Sequence, residues 1–181
     1  MKNVFPGGII MSLLLSGIWV LGAGKKATIP DLVPMPKKYR QTGKAFRVSQ
    51  VPLYIDKSSR QGKIAAAEIC KRIIELGGKP GKVMSVTDSS KAGIYLLTCT
   101  NPEAKRLIMR YKLNVSTAKP GPQGYIISTR PDQLLVIGSD DIGTLYGAIT
   151  LRQMLESGFG GKVKIAGAEV YDRPDYKFRS N

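Results

Sequence analysis

The segment GYIISTRPDQLLVIGSDDIGTLYGAITLRQML constrains the fold more than any other part of the chain. Two β-rich runs flank Arg130-Pro131-Asp132-Gln133, in which Pro and Asp favour a turn, so these runs are predicted to form an antiparallel hairpin. A helical pattern begins directly afterwards at Asp140 and Asp141, whose carboxylates suit the positive end of a helix. A hairpin that leads into a helix requires a sheet with a helix packed on it.

The remaining elements complete an α+β pattern. Helices are predicted for residues 58–78, capped by Ser58 or Ser59, and for the stretch NPEAKRLIMRYKL, capped by Asn101. The apolar run AGIYLLTCT predicts a central strand, and GKVKIAGAEVYD predicts the last one. The predicted order is β-α-β-α-β-β-α-β, an α+β fold with helices packed mainly on one face of a sheet.

The helix after Asp141 is predicted to be the longest in the chain. Its apolar residues form a wide face, so all of them are predicted to be buried against the rest of the domain: Ile142, Leu145, Ala148, Ile149, Leu151 and Leu155.

The chain divides into four predicted segments. Residues 1–24 have a lysine, an apolar run and small residues beyond it, which is typical of a secretory signal peptide; an uncleaved membrane anchor is the alternative. Residues 25–44 are proline-rich and predicted to be an extended linker. The α+β domain follows over 45–171, and 172–181 form a link. We therefore expect an exported protein, periplasmic or extracellular.

The composition is strongly basic, with 28 Lys and Arg against 13 Asp and Glu, a net charge of +15. Subtracting the three lysines of residues 1–27 leaves +12 for the rest. This excess favours acidic glycans or other cell-surface polymers as partners, with a solvated basic surface as the alternative. No aromatic and basic nucleic-acid motif is present, so no nucleic-acid partner is expected.

The residue types exclude most catalytic chemistry. Histidine is absent, which removes imidazole bases and most zinc sites, and two cysteines cannot form a four-thiolate site. We expect Cys70 and Cys99 to be buried free thiols rather than a disulfide. Asp140-Asp141 are better explained by capping, and Asp172 with Asp175 by a turn, than by paired acid/base catalysis. No metal site, cofactor or catalytic residue is predicted.

Three stretches resemble the non-catalytic domain that precedes the barrel in family 20 glycoside hydrolases, the β-N-acetylhexosaminidases. LVPMPKKYRQTGKAFRVS resembles its opening, and the hairpin-helix segment resembles its most recognisable block. The family's link into the barrel is matched by Asp172, Pro174, Tyr176 and Arg179, whereas Ser180 stands where the family has glycine. The helix pattern is filled by Gly143, Tyr146, Gly147, Thr150, Leu151, Gln153 and Met154.

The resemblance implies a non-catalytic domain that supports a (β/α)8 barrel. In the family, an Asp-Glu pair on the barrel and the substrate's acetamido group hydrolyse terminal N-acetylhexosamine residues, and this chain contains no barrel. We therefore expect the chain alone to be inactive, with a barrel as its partner in the same or another chain. Arg179 takes the position of the family's sugar-binding arginine, so it is the one expected substrate-binding residue. The alternative is a stand-alone basic module that binds acidic glycans.

Overall fold

The computed structural model describes residues 32–175, which form one mixed sheet and three helices. The predicted signal peptide and Arg179 lie outside these residues. Within them, no helix combines the length and apolarity needed to cross a membrane. The elements are β1 (Lys38–Arg47), β2 (Leu53–Ile55), α1 (Arg60–Glu75), β3 (Val83–Ser85), β4 (Gly93–Thr98), α2 (Pro102–Tyr111), β5 (Tyr125–Thr129), β6 (Gln133–Gly138), α3 (Asp141–Met154), β7 (Leu155–Glu156), a 3₁₀ turn (Phe159–Gly161) and β8 (Lys164–Asp172).

The sheet has a parallel half and an antiparallel half. Its order is β1-β8-β5-β6-β4-β2-β3, with the short β7 also paired to β8. Strands β3, β2, β4 and β6 run parallel, whereas β5 is antiparallel to both β6 and β8, and β1 is antiparallel to β8. The predicted hairpin is β5–β6, and the strand predicted to be central, β4, lies between β6 and β2.

The two faces of the sheet carry separate apolar cores. Helices α1 and α3 cover one face, where residues such as Ile69, Leu134 and Val136 are buried. Helix α2 covers part of the other face, with Leu107 packed among Tyr95 and Leu135 and their neighbours. Two of the three helices therefore share a face, and the predicted α+β class with helices mainly on one face is confirmed.

Three strand assignments differ from the sequence prediction. β1 and β2 are two strands, where the predicted order has one strand before the first helix, and β1 begins at Lys38, inside the predicted linker 25–44. β3 and β7 were not predicted, because strands of three and two residues carry almost no local pattern and owe their conformation to pairing with β2 and β8.

The predicted buried face of α3 is partly wrong. Gly143, Thr144, Gly147, Ala148, Leu151 and Met154 are buried, whereas the side chain of Ile149 is 40% exposed. A Cβ on Gly143 would lie 2.2 Å from the carbonyl oxygen of Gly124, and one on Gly147 would lie 2.6 Å from Val136 Cγ1. The helix therefore packs its glycine stripe on the sheet, which turns Ile149 outward. It is also shorter than α1, with 14 residues against 16.

We predict that Gly143→Ala and Gly147→Ala each destabilise the fold by about 2 kcal/mol or more, since the added methyl group would overlap packed atoms. Gly62→Ala is the matched control: it also adds a methyl group to a helix, but its nearest neighbour is Ser59 Oγ at 3.2 Å. Its effect should stay within about 1 kcal/mol because helix propensity offsets the tighter contact. Urea unfolding measures all three. Equal losses at the three positions would contradict the close packing of α3.

Candidate functional site

The outward side of α3 carries the polar residues of its family-like pattern. Tyr146 and Thr150 are half-buried and Gln153 is exposed, whereas the small residues of the pattern face the sheet. These three side chains line a groove together with two chain segments, 33–37 before β1 and 172–175 at the end of β8. We call this cavity of about 340 Å³ the linker groove.

Gln153 holds the segment before β1 by its backbone. The amide N–H of Val33 donates to Gln153 Oε1 over 3.0 Å, and Gln153 Nε2 donates back to the carbonyl oxygen of Val33 over 3.2 Å. A primary amide has the donor and the acceptor for this two-way contact with one residue. The side chain therefore fixes the approach of the chain to β1 along α3.

A buried tyrosine joins α3 to the end of β8. Tyr125 Oη lies 2.6 Å from Thr150 Oγ1 and donates to Asp172 Oδ2 over 3.1 Å. Burial raises the pKa of Tyr125 above its ordinary value of 10.0, and the negative charge of Asp172 acts in the same direction. The phenol therefore stays protonated and keeps its donor for Asp172 at physiological pH.

Asp172 and Asp175 tie the two chain segments to each other. The backbone N–H of Lys37 donates to Asp172 Oδ1 over 3.2 Å, and the Lys37 ammonium pairs with Asp175. The two carboxylates thus serve a structural role. The sequence likewise favoured a structural role for Asp172 and Asp175 over paired acid/base catalysis. Asp172 itself is the last residue of β8 rather than the first of a separate link.

The rim of the linker groove is apolar and exposed. Val33 is 73% exposed and Met35 61%, and the outward-turned Ile149 lies beside them. Exposed apolar side chains that gather around both linking segments are typical of a surface that another domain covers.

The other candidate residues from the sequence have structural roles. Asp140 caps α3 by accepting from the Gly143 N–H (2.7 Å), and it also accepts from the Gln123 N–H (2.7 Å). Asp141 accepts from Ser59 Oγ (2.9 Å) and joins α3 to the start of α1. The two adjacent carboxylates therefore bind different partners. A catalytic pair would instead have to converge on one substrate.

Both cysteines are free thiols, as expected, and differ in burial. Cys99 is buried, whereas Cys70 is only half-buried, which corrects the expectation for that residue. Burial raises the pKa of both thiols, so neither is a reactive thiolate near neutral pH. Among residues 32–175, no group of three or more potential ligand side chains is placed to hold a metal ion.

The groove's contacts could not be predicted from the sequence. Gln153 was recognised as a member of a helix pattern, but its partner Val33 lies 120 positions away and offers only backbone atoms. Tyr125 likewise was recognised as part of the family-like strand that opens the hairpin, but its contacts with Thr150 and Asp172 carried no sequence signal. Arg179, the one predicted substrate-binding residue, lies outside the described residues.

The fold defines the class of this chain as an α+β domain, with one mixed sheet that carries helices on both faces. The profile of glycosyl hydrolase family 20, domain 2, matches residues 29–173. The chain therefore belongs to that family through its non-catalytic domain 2, which confirms the resemblance seen in the sequence. A comparison with curated protein sequences found no significant match.

Several solved structures share the fold. CpGH84D has a TM-score of 0.63 and 10% identity, with 81% of this chain and 24% of that chain covered. A chitobiase of Flavobacterium johnsoniae has a TM-score of 0.56, 15% identity and coverages of 83% and 22%. An exo β-N-acetylglucosaminidase of Vibrio harveyi has a TM-score of 0.53, 16% identity and coverages of 81% and 19%. This chain thus spans a quarter or less of these proteins, and the likeness at such identities shows the fold alone.

Gln153→Ala is expected to release the segment before β1. Loss of the two hydrogen bonds to Val33 should raise the hydrogen-exchange rate of the Val33 amide by roughly thirtyfold, since each such bond contributes about 1 kcal/mol. The Gly143 amide, which is bonded to Asp140 at the other end of α3, serves as the internal control and should exchange at its original rate. Unchanged exchange at Val33 would show that Gln153 does not hold this segment.

Proposed function

We propose that this chain is the supporting domain of an exported β-N-acetylhexosaminidase-like glycoside hydrolase, and that its linker groove docks against a (β/α)8 catalytic barrel. The observation that carries the proposal is the meeting of three features at one surface. The segments on both sides of the domain lie there, Gln153 on the outward side of α3 holds the first of them, and exposed apolar side chains surround them.

The chemistry of the contact supports docking rather than catalysis at this surface. The polar side chains of the groove are engaged with one another: Gln153 with the backbone of Val33, Tyr125 with Asp172, and Lys37 with Asp175. The apolar rim of Val33, Met35 and Ile149 stays open to a partner. Burial of such a rim against a barrel removes apolar area from water, at roughly 25 cal/mol per Å².

The substrate and the reaction belong to the barrel. The Vibrio harveyi structure is described as a complex with N-acetylglucosamine, and several similar structures are β-N-acetylhexosaminidases. By analogy, the partner barrel hydrolyses terminal N-acetylhexosamine with an Asp-Glu pair and the substrate's acetamido group. Arg179 then presents its guanidinium fork to two sugar hydroxyls at the start of the barrel. Export of the protein rests on the leader over residues 1–24.

The isolated chain should not hydrolyse a chromogenic N-acetylglucosaminide. The reason is that the catalytic pair of the family is a feature of the barrel, whereas the matched residues 29–173 are those of the non-catalytic domain 2. Release of the chromophore is followed over the blank, with a family 20 enzyme as the positive control. Turnover by the purified chain above the blank would contradict the proposal.

Docking is tested with a catalytic barrel of the family supplied in the same chain or in another. With that barrel present, Ile149→Lys should weaken docking by about 2 kcal/mol, because the substitution places a charge in an apolar contact. Met109→Lys is the matched control, since Met109 is 71% exposed on α2 at the other face of the sheet. The readout is the urea midpoint of barrel unfolding. A barrel that responds equally to both variants would show that it does not dock on α3.

A further inference from the structure

The face of the sheet opposite the linker groove carries a second groove, which the supporting role does not use. Side chains alternate along β8, so Tyr171 and Glu169 project to the α2 side while Asp172 and Val170 project to the α3 side. Helix α2 covers the middle of this face and leaves β8 and β1 open beside its C-terminal end. The resulting cavity of about 570 Å³ is called the basic groove below.

Positive charge dominates the basic groove. Four cations line it, Lys38, Arg40, Lys112 and Arg130, together with one carboxylate, Glu169. Glu169 Oε2 accepts from Arg40 Nη2 over 2.5 Å, and its Oε1 accepts from Arg130 Nη2 over 2.9 Å. The groove therefore keeps an excess of positive charge after its one carboxylate is paired.

The two guanidinium groups retain unused donors. A guanidinium has five N–H donors, and the contact with Glu169 engages one nitrogen of each arginine. Arg130 Nε is buried and has no hydrogen-bond partner. Arg40 has a side chain that is 73% exposed, so its remaining donors are open to solvent. An anion in the groove would find the exposed donors of Arg40 already in position.

Two tyrosines add flat apolar surface to the same groove. Tyr111, at the end of α2, is fixed by donating its hydroxyl to Gln133 Oε1 over 2.7 Å, and its ring centroid lies 5.0 Å from the Arg130 guanidinium carbon. The ring of Tyr171 has the Lys38 ammonium 5.8 Å from its centroid. Phenol rings of this kind are amphipathic, with an apolar face and a polar edge.

We propose that the basic groove binds an acidic carbohydrate, a short glycan that carries uronic acid or sulfate groups. The cations attract its anionic groups, and guanidinium forks match the geometry of carboxylate and sulfate. Glu169 accepts hydrogen bonds from sugar hydroxyls, and the tyrosines pack on the C–H faces of the ring. The cavity lies within the range of small-molecule sites, roughly 300–1,000 Å³.

The carboxylate in the groove favours a glycan over a nucleic acid. Glu169 lies between Arg40 and Arg130, where it can accept from the hydroxyl groups that a glycan carries and that a DNA phosphodiester backbone lacks. This site is independent of the supporting role, because a barrel docked on α3 leaves the opposite face of the sheet free. Failure of one proposal therefore does not affect the other.

The test is calorimetric titration of the whole chain with tetragalacturonate at low ionic strength. Lys38→Gln combined with Arg40→Gln removes two exposed cations of the groove and should raise the Kd by about tenfold. Lys63→Gln combined with Lys71→Gln is the matched control, because it removes two exposed lysines of α1 on the other face of the sheet. The control should change the Kd by no more than about twofold, since exposed charges at a distance are screened.

The remaining outcomes each overturn the proposal. Equal losses of affinity for tetragalacturonate in the two double variants would show that the overall charge attracts the ligand without a specific site. No binding at low ionic strength would show that the groove does not bind an acidic glycan. Neutral chitotetraose binding as tightly as tetragalacturonate would show that the cations do not recognise the ligand. Tighter binding of a single-stranded oligodeoxythymidylate, with the same loss in the groove variant, would reassign the groove to nucleic acid.

Discussion

The close contact between α3 and the sheet governs the arrangement of this domain. Gly143 leaves room for the backbone of Gly124, just before β5, and Gly147 leaves room for the side chain of Val136, so the helix approaches the strands closely at these two positions. Thr144 fits the same interface because its hydroxyl donates to the carbonyl oxygen of Leu97 over 3.0 Å. Since this contact fixes the rotation of α3, it also decides which residues of the helix face outward.

The outward residues of α3 in turn contact the chain segments at the two ends of the domain. One side of α3 builds the core. On its outward side, Gln153 holds the segment before β1, and Thr150 bonds to Tyr125, which in turn donates to Asp172. A single helical pattern thus encodes both packing and attachment. The family's helix signature is explained by this double role: its glycines serve the sheet contact, and its polar residues serve the linker groove.

Local signals predicted the elements that form by local chemistry. Asn101 followed by Pro102 predicted the start of α2, and the side-chain oxygen of Asn101 does accept from the N–H groups of Glu103 and Ala104. The turn between β5 and β6 and the central position of β4 followed from equally local patterns. In contrast, apolar periodicity predicted Ile149 to be buried, because it contains no information on how closely the glycines approach the sheet.

Features that depend on distant residues could not be predicted. Arg40 and Glu169 become neighbours only through the register of β1 with β8, so lysines and arginines that are scattered in sequence gather in one groove. The contact of Gln153 with Val33 depends on the same kind of long-range pairing. The basic composition predicted a class of partner, but strand pairing determines the place where that partner would bind.

The pairing of β1 with β8 has a mechanical consequence. Lys38 at the start of β1 lies opposite Tyr171 near the end of β8, so the chain arrives at and leaves from the same end of two antiparallel strands. Tension between the two linking segments would open this ladder one pair at a time, the geometry of a zipper, instead of shearing many hydrogen bonds at once. The contacts of Lys37 with Asp172 and Asp175 lie at the end of the ladder where the two linking segments attach, so they would have to break before any strand pair separates.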